Sequence, residues 1–224
     1  MLMEKVIAID GPSASGKSSL ARMLAEKLRI PYINTGSMFR AAAWAASKRQ
    51  IAWDDEKALE NMLENLIMEY RTNANGEYEL FCDGEFPGEK LRTAEIAAGA
   101  SKVGTLPAVR SALKNMQQKM SILGYLVMEG RDVGTVIFPQ AQFKFFVTAS
   151  PLERARRRLA QEGEKAGGTL EEVAAAIAER DKQDSSRAVA PLRAAADAEL
   201  IDNSNMSLEE TFNYIYNKVK DAIL

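Results

Sequence analysis

Histidine is absent from all 224 residues, and cysteine occurs once, at Cys82. Without imidazole, serine–histidine–aspartate triads, histidine metal sites and histidine acid–base chemistry are excluded together. A single thiol excludes an internal disulfide framework and any cysteine-cluster zinc site. There is no charge excess either. Lys and Arg number 29 against 31 Asp and Glu, a net charge of −2, whereas a dedicated nucleic-acid binder carries a strong basic surplus. No apolar run approaches the ~18–20 residues that span a bilayer. The start, Met1-Leu2-Met3-Glu4-Lys5, lacks the charged and apolar regions of a secretory signal. A cytoplasmic chain without nucleic-acid or membrane partners is expected. Its chemistry must run on Lys, Arg, carboxylates, hydroxyls and backbone.

What is present is an ordinary globular composition. Hydrophobic residues make up 46% and charged residues 27%, enough for one large core with a soluble surface. Lys5–Asp10 is a short apolar run ending at a glycine and reads as a buried strand. Leu20, Met23, Leu24, Lys27 and Leu28 then recur at helical spacing. Pro31-Tyr32-Ile33 reads as a second strand, and a helix is expected from about Met38 to Lys48. Strand–helix alternation of this kind predicts a parallel sheet covered by helices.

The pattern changes between about Leu66 and Thr93. Two alternating segments, Ile67–Arg71 and Glu77–Phe81, flank Asn73-Ala74-Asn75-Gly76, a hairpin signal. This predicts an inserted antiparallel pair. Helices are expected over Ala94–Lys102 and Pro107–Ser121, the second with proline in its first turn. Tyr125–Met128 and Phe143–Val147 read as strands, and Ser150-Pro151 opens a helix. Glu162–Gly168 is expected to be a mobile loop, followed by a capping box at Thr169–Glu172. Ala198–Ile201 is the expected last strand, and Ser207–Glu210 opens the last helix.

The strongest chemical signal is Gly11-Pro12-Ser13-Ala14-Ser15-Gly16-Lys17-Ser18, a full match to G-x-x-x-x-G-K-[ST] between an apolar strand and a helix. Its glycines let the chain wrap so that successive N–H groups point at one phosphate. The helix beginning beside Lys17 adds its positive end. Lys17 reaches the β and γ phosphates, and the Ser18 hydroxyl can ligate Mg²⁺. The segment reads as a site for a nucleoside triphosphate.

A guanine-reading switch would need N-K-x-D. Asn217-Lys218-Val219-Lys220-Asp221 has one residue too many and lies in the terminal helix pattern. Single arginines at Arg40, Arg131, Arg180 and Arg187 instead suggest phosphoryl transfer. They are expected where strand ends and helix starts face a cleft. That transition state is stabilised mainly by positioning and by positive charge on oxygens. A hydroxyl acceptor usually needs a base to take its proton. A phosphate acceptor, with a second pKa of ~6, is already largely dianionic at neutral pH. A chain without histidine suits the second case.

Four ordered motifs resemble the bacterial cytidylate kinase family over nearly the whole length. They are Ile9–Pro12 with the loop that follows, Asn34-Thr35-Gly36-Ser37-Met38-Phe39-Arg40, Glu129-Gly130-Arg131-Asp132-Val133-Gly134-Thr135-Val136, and Arg180-Asp181-Lys182-Gln183-Asp184-Ser185-Ser186-Arg187. Ala190-Pro191-Leu192 follows as in the family. The resemblance implies a three-layer α/β P-loop kinase fold with parallel sheet and an inserted antiparallel subdomain. It implies Mg²⁺-dependent transfer from ATP to CMP or dCMP, and a monomer.

It also implies residue roles. Lys17, Arg131, Arg180 and Arg187 would be catalytic. ATP would contact Gly11–Ser18, Ser19 and Arg157, one of four arginines (Arg154, Arg156, Arg157, Arg158) on a lid. Arg40, Arg131 and Arg187 would hold the acceptor phosphate, because guanidinium forks match phosphate oxygens. Ser101, Arg110 and Asp132 would read cytosine, while Asp184, Arg180 and Thr35 would line the ribose side. Two positions depart from the family: Phe39 stands where tyrosine is usual, and Ser19 where threonine is.

One domain is expected, with a core of residues 1–35, 94–150 and 195–224. A monophosphate-binding region would span about 36–93, with its insertion at 66–93, and a lid about 151–190. A kinase for UMP, AMP or a small hydroxyl metabolite is the nearer rival reading. A nucleotide-dependent switch without an acceptor is the more distant one.

Overall fold

The computed structural model describes residues 4–163 and 168–223; residues 164–167 of the expected loop lie outside them. The described chain forms β1 (Glu4–Asp10), α1 (Lys17–Leu28), β2 (Tyr32–Asn34), α2 (Thr35–Lys48) and α3 (Glu56–Asn65). The pair β3 (Met68–Thr72) and β4 (Tyr78–Cys82) follows, then α4 (Ala94–Val103) and α5 (Pro107–Lys119). After these come β5 (Leu126–Gly130), β6 (Ala141–Thr148), α6 (Pro151–Glu162), α7 (Leu170–Ser186), β7 (Glu199–Asp202) and α8 (Leu208–Ile223). No described helix is long and apolar enough to cross a membrane.

The fold is α/β. Its main sheet has the order β2-β5-β1-β6-β7. The pairings of β1 with β5, β1 with β6 and β6 with β7 are parallel. Ile7 and Ile9 face a core shared with Leu20 and Leu24 of α1, Val127, Phe145, Val147, and Ile215 and Val219 of α8. Alternation turns Val6, Ala8 and Asp10 to the other face, where a π-helical turn, Val133–Ile137, lies. Burial on both faces explains why β1 reads as a continuous apolar run.

The chain packs as two compact units, Met1–Tyr32 with Leu123–Leu224, and Ile33–Ile122. In the second, α4 packs on α2 and α5 on α3, and β3 pairs antiparallel with β4 as the Asn-Gly turn predicts. Residues 94–122, counted with the core in the sequence reading, therefore group with residues 33–93. Their helices bury Ile96, Val103, Val109 and Leu113 within that unit.

Other boundaries differ for local reasons. The α2 helix starts at Thr35 rather than Met38, because the Asn34 side chain accepts from the Ser37 N–H and caps it. The α5 helix ends at Lys119 and passes into a 3₁₀ turn, Met120–Leu123. The α3 helix is an element that the sequence reading does not assign. Only Arg131 directly follows a strand end; Arg180 lies in the second half of α7 and Arg187 just past it.

Candidate active site

The turn from β1 into α1 builds the phosphate cradle. Gly11 has φ +152°, and a Cβ there would lie 2.0 Å from the Val147 carbonyl oxygen. Gly16 caps α1 at φ +87°, and Ala14 also adopts a left-handed backbone at φ 58°. Glycine meets the first two demands because nothing larger fits the space or the torsion. Lys17 is buried and its ammonium donates to the Pro12 carbonyl at 2.9 Å. Burial, reinforced by the Arg131 guanidinium, pushes its pKa down to about 7, against the opposing charges of Glu129 and Asp10. Ser15 is fully buried, whereas Ser19 is exposed on α1.

Ser18 Oγ donates to Glu129 Oε1 at 2.7 Å, and the Tyr32 hydroxyl donates to the same oxygen at 3.3 Å. Among the described residues no cluster of three carboxylate, thiol or imidazole side chains could hold a metal. A hydroxyl with one carboxylate behind it still fits Mg²⁺. That ion keeps several waters and takes most of its other ligands from substrate phosphates.

Three side chains brace the cradle. Asn203, after β7, donates from Nδ2 to the Ser15 carbonyl at 3.1 Å. Arg157 donates to Asn203 Oδ1 at 2.9 Å and to the Asn203 carbonyl at 2.7 Å. Arg154 is buried, donating to the Ala149 and Ser13 carbonyls and pairing with Asp181 at 2.6 Å. Arg156 is exposed and faces Glu153 at 3.6 Å. The group of four lid arginines expected from the sequence is therefore divided. Arg154 is a strut between the loop and α7, because i and i+3 positions share a face while i+2 does not.

An arginine cluster lies in the same unit. Arg131 Nε donates to Asp184 Oδ2 at 2.9 Å, and Arg187 Nε donates to the Asp184 carbonyl at 3.2 Å. Arg187 Nη1 also lies 3.7 Å from Asp184 Oδ1. Arg180 keeps much of its side chain in solvent. Partial desolvation of its head group, followed by the charge of Arg131, lowers its pKa. The Leu192 N–H closes on the Asp184 carbonyl at 2.9 Å, folding Ala190-Pro191-Leu192 back onto the end of α7.

Asp132, buried, follows Arg131. Asp10, which the sequence reading passes over, is also buried and accepts from the N–H groups of Val133 (2.9 Å) and Gly134 (2.7 Å). Burial pushes its carboxyl up to about 7, against those two hydrogen bonds. An acid closing an otherwise apolar, two-face-buried strand was the available signal.

The second unit holds the remaining expected residues. Thr35 is buried at the first position of α2, and Arg40 Nη2 donates to Ser37 Oγ at 2.9 Å. Ser101 Oγ donates to the Ala97 carbonyl at 3.2 Å, so its lone pairs are what it presents outward. Arg110 is buried, donates to the Gly104 carbonyl at 3.0 Å, and stacks 5.2 Å from the Phe39 ring centre. That contact needs the ring face, which phenylalanine supplies without the tyrosine hydroxyl.

Comparison with known proteins follows the same lines. A profile of the cytidylate kinase family matches residues 7–221. The cytidylate kinase of Geobacter sp. (strain M21) is 42% identical over 221 residues, covering 97% of this chain and 94% of that one. The cytidylate kinase of Pasteurella multocida is 43% identical over 206 residues, 92% of this chain and 90% of its own. The crystal structure of an uncharacterized protein from Eubacterium ventriosum superposes with a TM-score of 0.55 at 12% identity, covering 96% and 98% of the two chains. That likeness concerns the fold alone. With its motifs in order and the family profile matched almost end to end, the chain belongs to the cytidylate kinase family.

Proposed function

We propose that the γ-phosphoryl group of ATP passes in line to the phosphate of CMP or dCMP on this chain, with no covalent enzyme intermediate. The observation that carries the reading is the buried Lys17 in its glycine cradle, within one compact unit that also holds Arg131, Arg180 and Arg187 gathered about Asp184. The backbone N–H groups of the loop from Ser13 to Ser18 and the Lys17 ammonium hold the β and γ phosphates. Arg131, Arg180 and Arg187 neutralise charge on the transferred group, and Arg131 and Arg187 with Arg40 hold the acceptor phosphate. The acceptor is already ionised, so no base is required.

Ser18, with Glu129 behind it, would hold Mg²⁺, which would supply charge neutralisation on the phosphate oxygens when bound. Arg157, fixed by Asn203, lies beside Gly16 and contacts ATP. Residues 33–122 bind the monophosphate and about 151–190 act as the lid. Ser101 and Asp132 accept from the cytosine amine, while Arg110 donates to N3 and O2. Thr35, Arg180 and Asp184 lie along the ribose. Uracil reverses the pattern at N3 and position 4 and leaves those groups mismatched. The chain works as a cytoplasmic monomer.

A panel of CMP, dCMP, UMP, AMP and a hydroxyl acceptor with MgATP, followed by ADP release, tests the reading. CMP and dCMP should exceed the others by at least tenfold in kcat/KM. ADP release indifferent to acceptor would overturn it.

A further inference from the structure

We propose that Asp10 is a positioning residue that locks the loop carrying Arg131 to the root of the phosphate cradle by capping the turn that follows it.

Strands β1 and β5 run parallel with Asp10 opposite Gly130. Each ends there: Asp10 leads into Gly11 and the cradle, Gly130 into Arg131 and Asp132. The next residues form the π-helical turn Val133–Ile137, whose leading N–H groups have no partner within the turn. Asp132 stands at the capping position, where an aspartate would ordinarily accept from them. Its side chain makes no capping bond. Asp10 does so from the neighbouring strand, giving one carboxylate oxygen to the Val133 N–H and the other to the Gly134 N–H. Gly134 admits this approach: a Cβ there would lie 3.4 Å from Asp10 Oδ2 and 3.3 Å from Lys144 Cδ. Lys144, itself buried, is held by the Pro139 carbonyl and Asp197, both at 2.6 Å, so the turn is backed by a fixed side chain.

The arrangement has a direct consequence for the reaction. The cradle that holds Lys17 and the loop that holds Arg131 are joined by two hydrogen bonds to one side chain. Displacements of about 1 Å between reacting partners can cost on the order of a hundredfold in rate. Asp10 acts through Arg131, and the proposal rests on the role given above to that residue.

The experiment is a double-mutant cycle of Asp10→Asn and Arg131→Ala, with Asp10→Glu alongside, in the full chain. Turnover with CMP is counted per site that binds a fluorescent ATP analogue. In Asp10→Asn one oxygen still accepts, but an amide group opposes the second N–H. In Asp10→Glu the charge is kept and its place is not. Both single variants should lose about 10- to 100-fold in kcat per analogue site, with analogue affinity within about threefold of wild type. In the Arg131→Ala background, Asp10→Asn should cost less than about threefold, because its target is already gone. Multiplicative losses in the cycle would overturn the proposal. So would loss of analogue sites with kcat per site unchanged, or recovery of kcat by Asp10→Glu. If Arg131→Ala itself leaves CMP turnover intact, the arginine assignment fails and takes the proposal with it, an outcome separate from multiplicative losses.

Discussion

Lys17 and Asp10 are both buried beside the cradle, and each is held away from its ordinary charge equilibrium by burial. Replacing Lys17 by alanine removes a desolvated cation and should leave the fold intact. We expect kcat with CMP to fall by about a hundred- to a thousandfold, in line with other single transition-state donors. Near-native circular dichroism should accompany the loss. Asp10 gives a stability signature. Its folded pKa of about 7 exceeds the ordinary 3.8, so between those values the unfolded chain has released a proton that the folded chain keeps. The stability that this group contributes at low pH is therefore lost as pH rises through 7. Asp10→Asn lacks that slope. The stability difference between wild type and variant should shrink by roughly 2 kcal/mol between pH 5 and pH 7, at up to ~1.4 kcal/mol per pH unit. Urea titrations at the two pH values measure it, and a constant difference would contradict the assignment. Lys17 was legible because its spacing to two glycines is a local pattern. Asp10 was not, because its partners lie more than 120 residues away in sequence.

At the level of elements, the sequence displays what neighbours in the chain decide and hides what packing decides. The hairpin of β3 and β4 and the capping box of α7 came through, since a turn and a reciprocal cap are written within a few residues. The α3 helix carried an Asp55 cap and Leu59, Met62 and Leu63 on one face, but its short span sits beside a segment of different periodicity. The junction of α4 with Trp53 had no sequence signal. A Cβ on Gly99 would come within 2.6 Å of the Trp53 ring, whose N–H is anchored to the Ala43 carbonyl at 3.0 Å. Gly99→Ala should therefore destabilise the chain by about 1–3 kcal/mol through overpacking, despite alanine's better helix propensity. Equilibrium denaturation checks this, and a stabilised variant would show that α4 can shift. The arginines of α6 teach a related lesson. Helical spacing lets only some of the four face inward but does not say which; packing makes Arg154 a buried strut and leaves Arg156 in solvent.

For the whole molecule, substrates should act as stabilisers. ATP at a hundred times its Kd adds about 2.7 kcal/mol by mass action, and CMP adds its own share if it binds the folded state. Thermal melts with each nucleotide separate the two contributions. Lys17→Ala should erase most of the ATP increment while keeping that of CMP. Substrate choice is a second global readout. Asp132→Ala should lower the CMP-to-UMP ratio of kcat/KM by about 10- to 100-fold, as expected when a hydrogen-bonding partner of the base is removed. An unchanged ratio would remove the base-reading role.

The second compact unit is one uninterrupted stretch, Ile33–Ile122, entered and left once by the chain. A chimera made by exchanging that stretch with a relative's would need only two junctions. On the roles proposed above, a foreign Ser101 and Arg110 would arrive together while the host kept its own Asp132, so two of the three base readers would change owner. Acceptor preference in such hybrids would then report how far the borrowed pair outweighs the residue that stayed.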